Sequence, residues 1–123
     1  MVILGGGRLG RAIEAALLQR GDPPPWVLGR PDGGRHDPAD LAGATVVVDA
    51  SDGPAVRPNV EASLAAGCRR LVLAATGWEA DREAVEQSVR TAGAVAVVTP
   101  NLSLGAAIFL CLVARAAALV TER

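Results

Sequence analysis

Hydrophobic and polar positions fall along this chain in short blocks whose period keeps changing. Residues 1–4 are an apolar run stopped by Gly5, Gly6 and Gly7. Residues 8–20 follow with helical spacing, because Leu9, Ile13, Ala16 and Leu17 share one face. Gly21-Asp22-Pro23-Pro24-Pro25 breaks the chain before a second short strand, Trp26-Val27-Leu28. Residues 29–38 read as a loop rich in Gly, Pro, Asp and Arg, and residues 40–43 suit one helical turn. Residues 45–50, TVVVDA, are continuously apolar and β-branched, the pattern of a strand buried on both faces. Residues 54–67 read as helix in two pieces. Pro58 has no N–H to donate, which places the start of the main piece there, and Gly67 suits its end. A fourth strand at 70–75, a charged amphipathic helix at 79–92 closed by Gly93, a fifth strand at 94–98 and a last helix at 104–121 complete the chain.

Strands alternating with helices predict an α/β fold, a Rossmann-type doubly wound parallel sheet of about five strands with helices on both faces. Ligands of such sheets bind outside the carboxyl ends of the strands. The glycine turn, the DAS segment, the TGW segment and the PNLS segment all fall at such ends.

Composition narrows the classes. With 123 residues, half of them apolar and a fifth charged, the chain reads as one folded domain over 1–123. The net charge of −1 excludes a broad nucleic-acid footprint. All twelve basic residues are arginine, so lysine Schiff-base or general-acid chemistry is excluded within the sequence. Cys68 and Cys111 stand far apart with no zinc-ligand pattern and are expected as buried, reduced thiols rather than a disulfide. Residues 102–120 are nearly all apolar, but Arg115 inside them would cost about 2.5–3.5 kcal/mol near a bilayer centre. They read as a buried or partner-facing helix. The early glycines interrupt any signal-peptide pattern, and the expected location is cytoplasmic.

Candidate chemistry begins at Gly5-Gly6-Gly7-Arg8-Leu9-Gly10, a GxGxxG motif that follows a strand and opens a helix. In a dinucleotide site Gly5 permits the tight turn, Gly7 lets a pyrophosphate approach the backbone, and Gly10 lets helix and strand pack closely. The alternative is a plain tight turn between strand and helix. The second strand ends Leu28-Gly29-Arg30, with an arginine rather than an acidic residue 20 positions beyond Gly10. An arginine there suits the 2′-phosphate of NADPH, with NADH as the alternative cofactor. Arg8 and Arg35 are further candidates for the same phosphates. For Asp52 and Ser103, helix capping is a sufficient explanation. His36, the one histidine, is expected at the surface of its loop.

Taken together, these segments resemble dihydrodipicolinate reductase (4-hydroxy-tetrahydrodipicolinate reductase) of lysine and diaminopimelate biosynthesis. GGGRLGR at 5–11 is similar to the family's GxxGRMG turn, and VVVDAS at 46–51 to its VxIDFS/T segment. Pro54 and Asn59 match the proline and asparagine that follow. LAATGW at 73–78 resembles IGTTGF, and TPNLSLGAAI at 99–108 resembles APNFSLGVNL. The resemblance covers the cofactor-binding half of the enzyme and essentially all of this sequence. It implies that Gly7, Arg8, Leu9 and Gly10 meet the pyrophosphate, that Asp49, Ala50 and Ser51 line the cofactor, that Ala75, Thr76 and Gly77 lie near the nicotinamide, and that Asn101 and Ser103 lie near the reacting end. Ala75, Ala50 and Ala107 depart from the family's threonine, phenylalanine and asparagine. The family's C-terminal substrate domain, with its HHxxKxDAPSGT signature, is absent from this sequence, so no catalytic residue is assigned and the isolated chain is expected to be inactive.

Residues 108–113 are six consecutive apolar positions and so circle their helix. They predict a homodimer or a substrate-domain partner packed on helix 104–121, the alternative being cover by the chain's own sheet. Two functions follow. One is the NADPH-binding domain of an oxidoreductase completed by another domain or chain. The other is a non-catalytic module that senses a dinucleotide or dimerises.

Overall fold

The computed structural model describes residues 1–31, 34–99 and 104–121. Its five strands are β1 (Val2–Leu4), β2 (Trp26–Leu28), β3 (Val47–Asp49), β4 (Arg70–Leu73) and β5 (Val95–Val98). Its four α-helices are α1 (Arg8–Gln19), α2 (Gly53–Ala65), α3 (Arg82–Thr91) and α4 (Leu104–Thr121), with 3-10 turns at Pro38–Leu41 and Glu79–Asp81. All pairings are parallel, in the order β2-β1-β3-β4-β5. The predicted doubly wound α/β fold is therefore the observed one. Its order reverses between β1 and β3, and this switch point opens at the strands' carboxyl ends.

The two faces of the sheet separate by strand alternation. Val2, Leu4, Val47, Leu71 and Leu73 point to one side and pack with Val56 and Val60 of α2 and Val85 and Val89 of α3. Leu41, fully buried, joins this core from the 3-10 turn. Ile3 points to the other side, toward α1, where Gly10 comes close to its side chain. Across that second face the row Ile3, Val48, Val72, Val97 runs in register. It is sealed at Ile3 (0% exposed) and open at Val97 (59%).

Three expectations need correction. Helix α2 is continuous through Pro58 rather than split. The proline lies early in the helix and removes a single i→i−4 bond, while Val56, Asn59, Val60, Ala62 and Ser63 are buried around it and hold the segment. On α1 the expected apolar face is only partly covered, for Leu9 is 41% exposed and Gly10 is the buried position. Cys68 is buried, but Cys111 is exposed on α4. So are Ile108, Phe109, Leu110, Leu112 and Val113. Among the described residues no helix is long and apolar enough to cross a membrane.

Away from the switch point, Arg57 of α2 donates to Glu61 at 3.1 Å and reaches Asp81, ahead of α3, at 3.3 Å. The bond to Glu61 first, and that to Asp81 second, raise its pKa above the usual arginine value.

Candidate functional site

A cleft of about 780 Å³ occupies the switch point. It is lined by Gly5, Gly6 and Gly7 after β1, by Gly29, Arg30 and Pro31 after β2, and by Ala50, Ser51 and Asp52 after β3. That volume lies in the range of small-molecule sites.

The glycine turn divides into two kinds of position. At Gly5, φ is +104°, and an added Cβ would lie 2.5 Å from the Ala50 carbonyl oxygen. At Gly10 a Cβ would lie 1.9 Å from the Gly5 carbonyl oxygen and 3.4 Å from Ile3 Cγ2. Both glycines are demanded by the fold itself. Gly7 is different. Its backbone is extended, with φ −76°, and a Cβ there would meet nothing within 4 Å. Nothing in the protein requires a glycine at this position, so the space in front of it is free for a ligand.

Gly7 is also the N-cap of α1, and no side chain caps that helix. The first intrahelical bond runs from the Arg11 N–H to the Gly7 carbonyl at 3.0 Å. The N–H groups of the first turn are thus left without helical partners. No acidic residue stands in that turn, while Arg8 and Arg11 do. Positive side chains at a helix N-terminus oppose the dipole by about 0.3–1 kcal/mol each, unless an anion shares the site. Arg11 lines the cleft and pairs with Glu14 at 2.8 Å. Arg8 and Leu9 are exposed and do not line it.

The β3 end is a buried polar knot. Asp49 is 1% exposed. Its carboxylate accepts the Ser51 N–H at 3.0 Å, the Ser51 hydroxyl, and the Asn59 amide at 3.0 Å. Asn59 also reaches Ser51 Oγ at 3.2 Å. The knot fixes the Ala50-Ser51 backbone against Gly5, and this close approach is why Gly5 tolerates no side chain. Asp49 is therefore a positioning residue beneath the cleft, while Ala50, Ser51 and Asn59 line it.

Asp52 is the N-cap of α2, yet its side chain makes no capping bond. Its carboxylate pairs with the Arg30 guanidinium. The two side chains join the β2 end to the β3 end, both well exposed to solvent.

Ala75, Thr76 and Gly77 follow β4. The indole N–H of buried Trp78 donates to the Ala75 carbonyl at 3.0 Å and closes this turn, with Arg82 stacked 5.2 Å over the ring. Thr76 and Gly77 are left exposed at the top, outside the lining of the cleft. The turn still abuts the start of α2, since a Cβ at Gly53 would lie 2.2 Å from the Gly77 carbonyl oxygen. Asn101 and Ser103 lie outside the described residues.

Of the expected site residues, the structure brings Gly5, Gly7, Arg30, Ala50 and Ser51 to one cleft. It adds His36, which corrects the expectation of a surface histidine, because the residue is only 6% exposed and lines the cleft. The sequence held a signal for this. Asp37-Pro38 directly follows, a capping residue and a first-turn proline that start a 3-10 turn and bring the loop back onto the core. Among the described residues no cluster of His, Cys, Asp and Glu is arranged to hold a metal. No protein-family model matches the sequence.

Proposed function

We propose that this chain is the NAD(P)H-binding domain of a dihydrodipicolinate-reductase-like oxidoreductase, with NADPH preferred, working with another domain or chain that binds the substrate and donates the proton. The observation that carries this reading is Gly7: a glycine the fold does not need, at an uncapped helix start, facing an open cleft at the switch point. The residues present suit a dinucleotide. The first-turn N–H groups of α1 suit the pyrophosphate, with the helix dipole in support. Arg30, at the end of β2, suits a 2′-phosphate. The knot of Asp49, Ser51 and Asn59 sets the backbone that faces the ligand. When bound, the nicotinamide supplies a hydride. This chain's own part is to bind and orient the cofactor.

The experiment is a titration of the purified chain with NADPH and with NADH, reading energy transfer from Trp26 and Trp78 to the reduced nicotinamide. Saturable binding, tighter for NADPH, supports the reading. No binding of either at millimolar concentration rejects it. A second reading, a non-catalytic module that dimerises, is favoured by one observation, the exposure of Phe109, Leu110 and Leu112 on α4 (62–63% each). An exposed α4 suits a partner under either reading, so the cofactor titration separates a dinucleotide-binding domain from a module that only dimerises.

A further inference from the structure

The fold buries His36 without giving it anything to bond. The segment around it is well anchored. Asp37 accepts the Ala39 N–H at 2.8 Å to cap the 3-10 turn, and Leu41, 0% exposed, sits in the core beside α2. This anchoring leaves the residue only 6% exposed, in the lining of the cleft that it shares with Ala55 and Asn59. Among the described residues no side chain or backbone group hydrogen-bonds the ring. Its nitrogens are not sealed in without a partner, and the residue lines the cleft.

A side chain this enclosed, with no protein partner for its polar atoms, leaves them to water or to a ligand in the cleft. Asp52, in the cleft's lining, is engaged with Arg30, and Asp49, beneath it, with Ser51 and Asn59. With His36 the cleft's lining includes the apolar Val27, Pro31, Pro54 and Ala55 and the polar Arg11, Arg30, Ser51, Asp52 and Asn59. Apolar side chains interspersed with a few polar groups suit an aromatic heterocycle held on its faces and read at its edge. An imidazole can turn one ring nitrogen toward the edge of a purine and make a single hydrogen bond there.

We infer that His36 reads the base of the bound nucleotide, meeting the N1/6-amino edge of adenine, while Arg30 takes the phosphate on the neighbouring ribose. The inference rests on the dinucleotide reading above and adds a specificity-determining residue to it.

The test compares NADP⁺ with 1,N6-etheno-NADP⁺, whose added ring blocks that edge, by calorimetry. The wild-type chain prefers NADP⁺ by about fivefold, the worth of one neutral hydrogen bond. His36→Ala reduces the preference to less than about twofold, and His36→Gln, which keeps a donor and an acceptor, restores most of it. If wild type does not discriminate, or if His36→Ala weakens both ligands equally and keeps the preference, His36 is not at the base edge and the inference falls while the dinucleotide reading stands. If wild type binds neither ligand, both fall.

Discussion

Gly7 and Gly10 belong to one motif and should respond to alanine in opposite ways. At Gly10 the new Cβ would sit 1.9 Å from a backbone carbonyl oxygen that cannot move without displacing the β1 end. Overpacking of this kind costs at least about 3 kcal/mol, the upper part of the usual range. For a chain of 123 residues this lowers Tm by roughly 10 °C or more. At Gly7 the Cβ meets nothing, and the extended backbone suits any residue. Losing glycine at an N-cap costs about 0.5–1 kcal/mol, and the reduced freedom of the unfolded chain returns about as much. Gly7→Ala should therefore leave Tm within a few degrees of wild type. Its effect falls on the ligand. The methyl group stands where a phosphate must approach the free N–H groups, and losing one charge-assisted bond costs about 1.5–3 kcal/mol. The dissociation constant for NADPH should rise by about 10-fold to 150-fold. Thermal unfolding by circular dichroism and the fluorescence titration measure the two effects separately. A Gly7→Ala chain that is folded and binds NADPH within twofold of wild type would show that no phosphate approaches the backbone at Gly7. One that unfolds like Gly10→Ala would show that the fold itself needs this glycine.

Other predictions follow from the cleft's charges and its buried knot. Arg30→Ala should weaken NADPH by about tenfold or more and NADH by under about threefold, since only the former carries the extra phosphate; equal losses in the same titration would count against Arg30 as the phosphate ligand. Asp52→Asn frees Arg30 from an exposed ion pair worth no more than about 1 kcal/mol, so NADPH should bind up to about fivefold tighter at low salt, with the gain shrinking at high salt. Unchanged NADPH affinity at low salt would show that Asp52 does not compete for Arg30. Asn59→Leu removes the amide that donates to buried Asp49 at 3.0 Å. A carboxylate left short of a donor there should cost about 2–3 kcal/mol, read as a lower midpoint in urea denaturation.

The sheet was legible because its strands are short β-branched runs between glycines, prolines and polar loops, and β1 to β5 all fall within the expected segments. The switch point followed from the alternation of strands and helices. The continuity of α2 was not legible, since Pro58 reads as a helix start, and only the burial of Asn59, Val60 and Ser63 around it shows why the helix persists. The GxGxxG pattern located the turn but could not separate its glycines. Steric necessity at Gly5 depends on Ala50 and Ser51, which are remote in the chain, and at Gly10 on how the turn folds the Gly5 carbonyl back over the helix start, while Gly7 meets nothing. The Arg30–Asp52 pair was invisible for a similar reason, joining loops 22 positions apart. His36 was misjudged from the composition of its loop, because its burial depends on Leu41 docking into the core.

A dinucleotide site at the switch point is tested most directly by a pair of ¹H–¹⁵N correlation spectra of the labelled chain, without NADPH and at saturation. With the cofactor at the switch point, the amides of residues 5–10, of Gly29 and Arg30, and of residues 50–52 should shift together along one binding curve, while those of α3 stay in place. A spectrum that does not change, or shifts confined to α4 or β5, would contradict a dinucleotide site at the switch point.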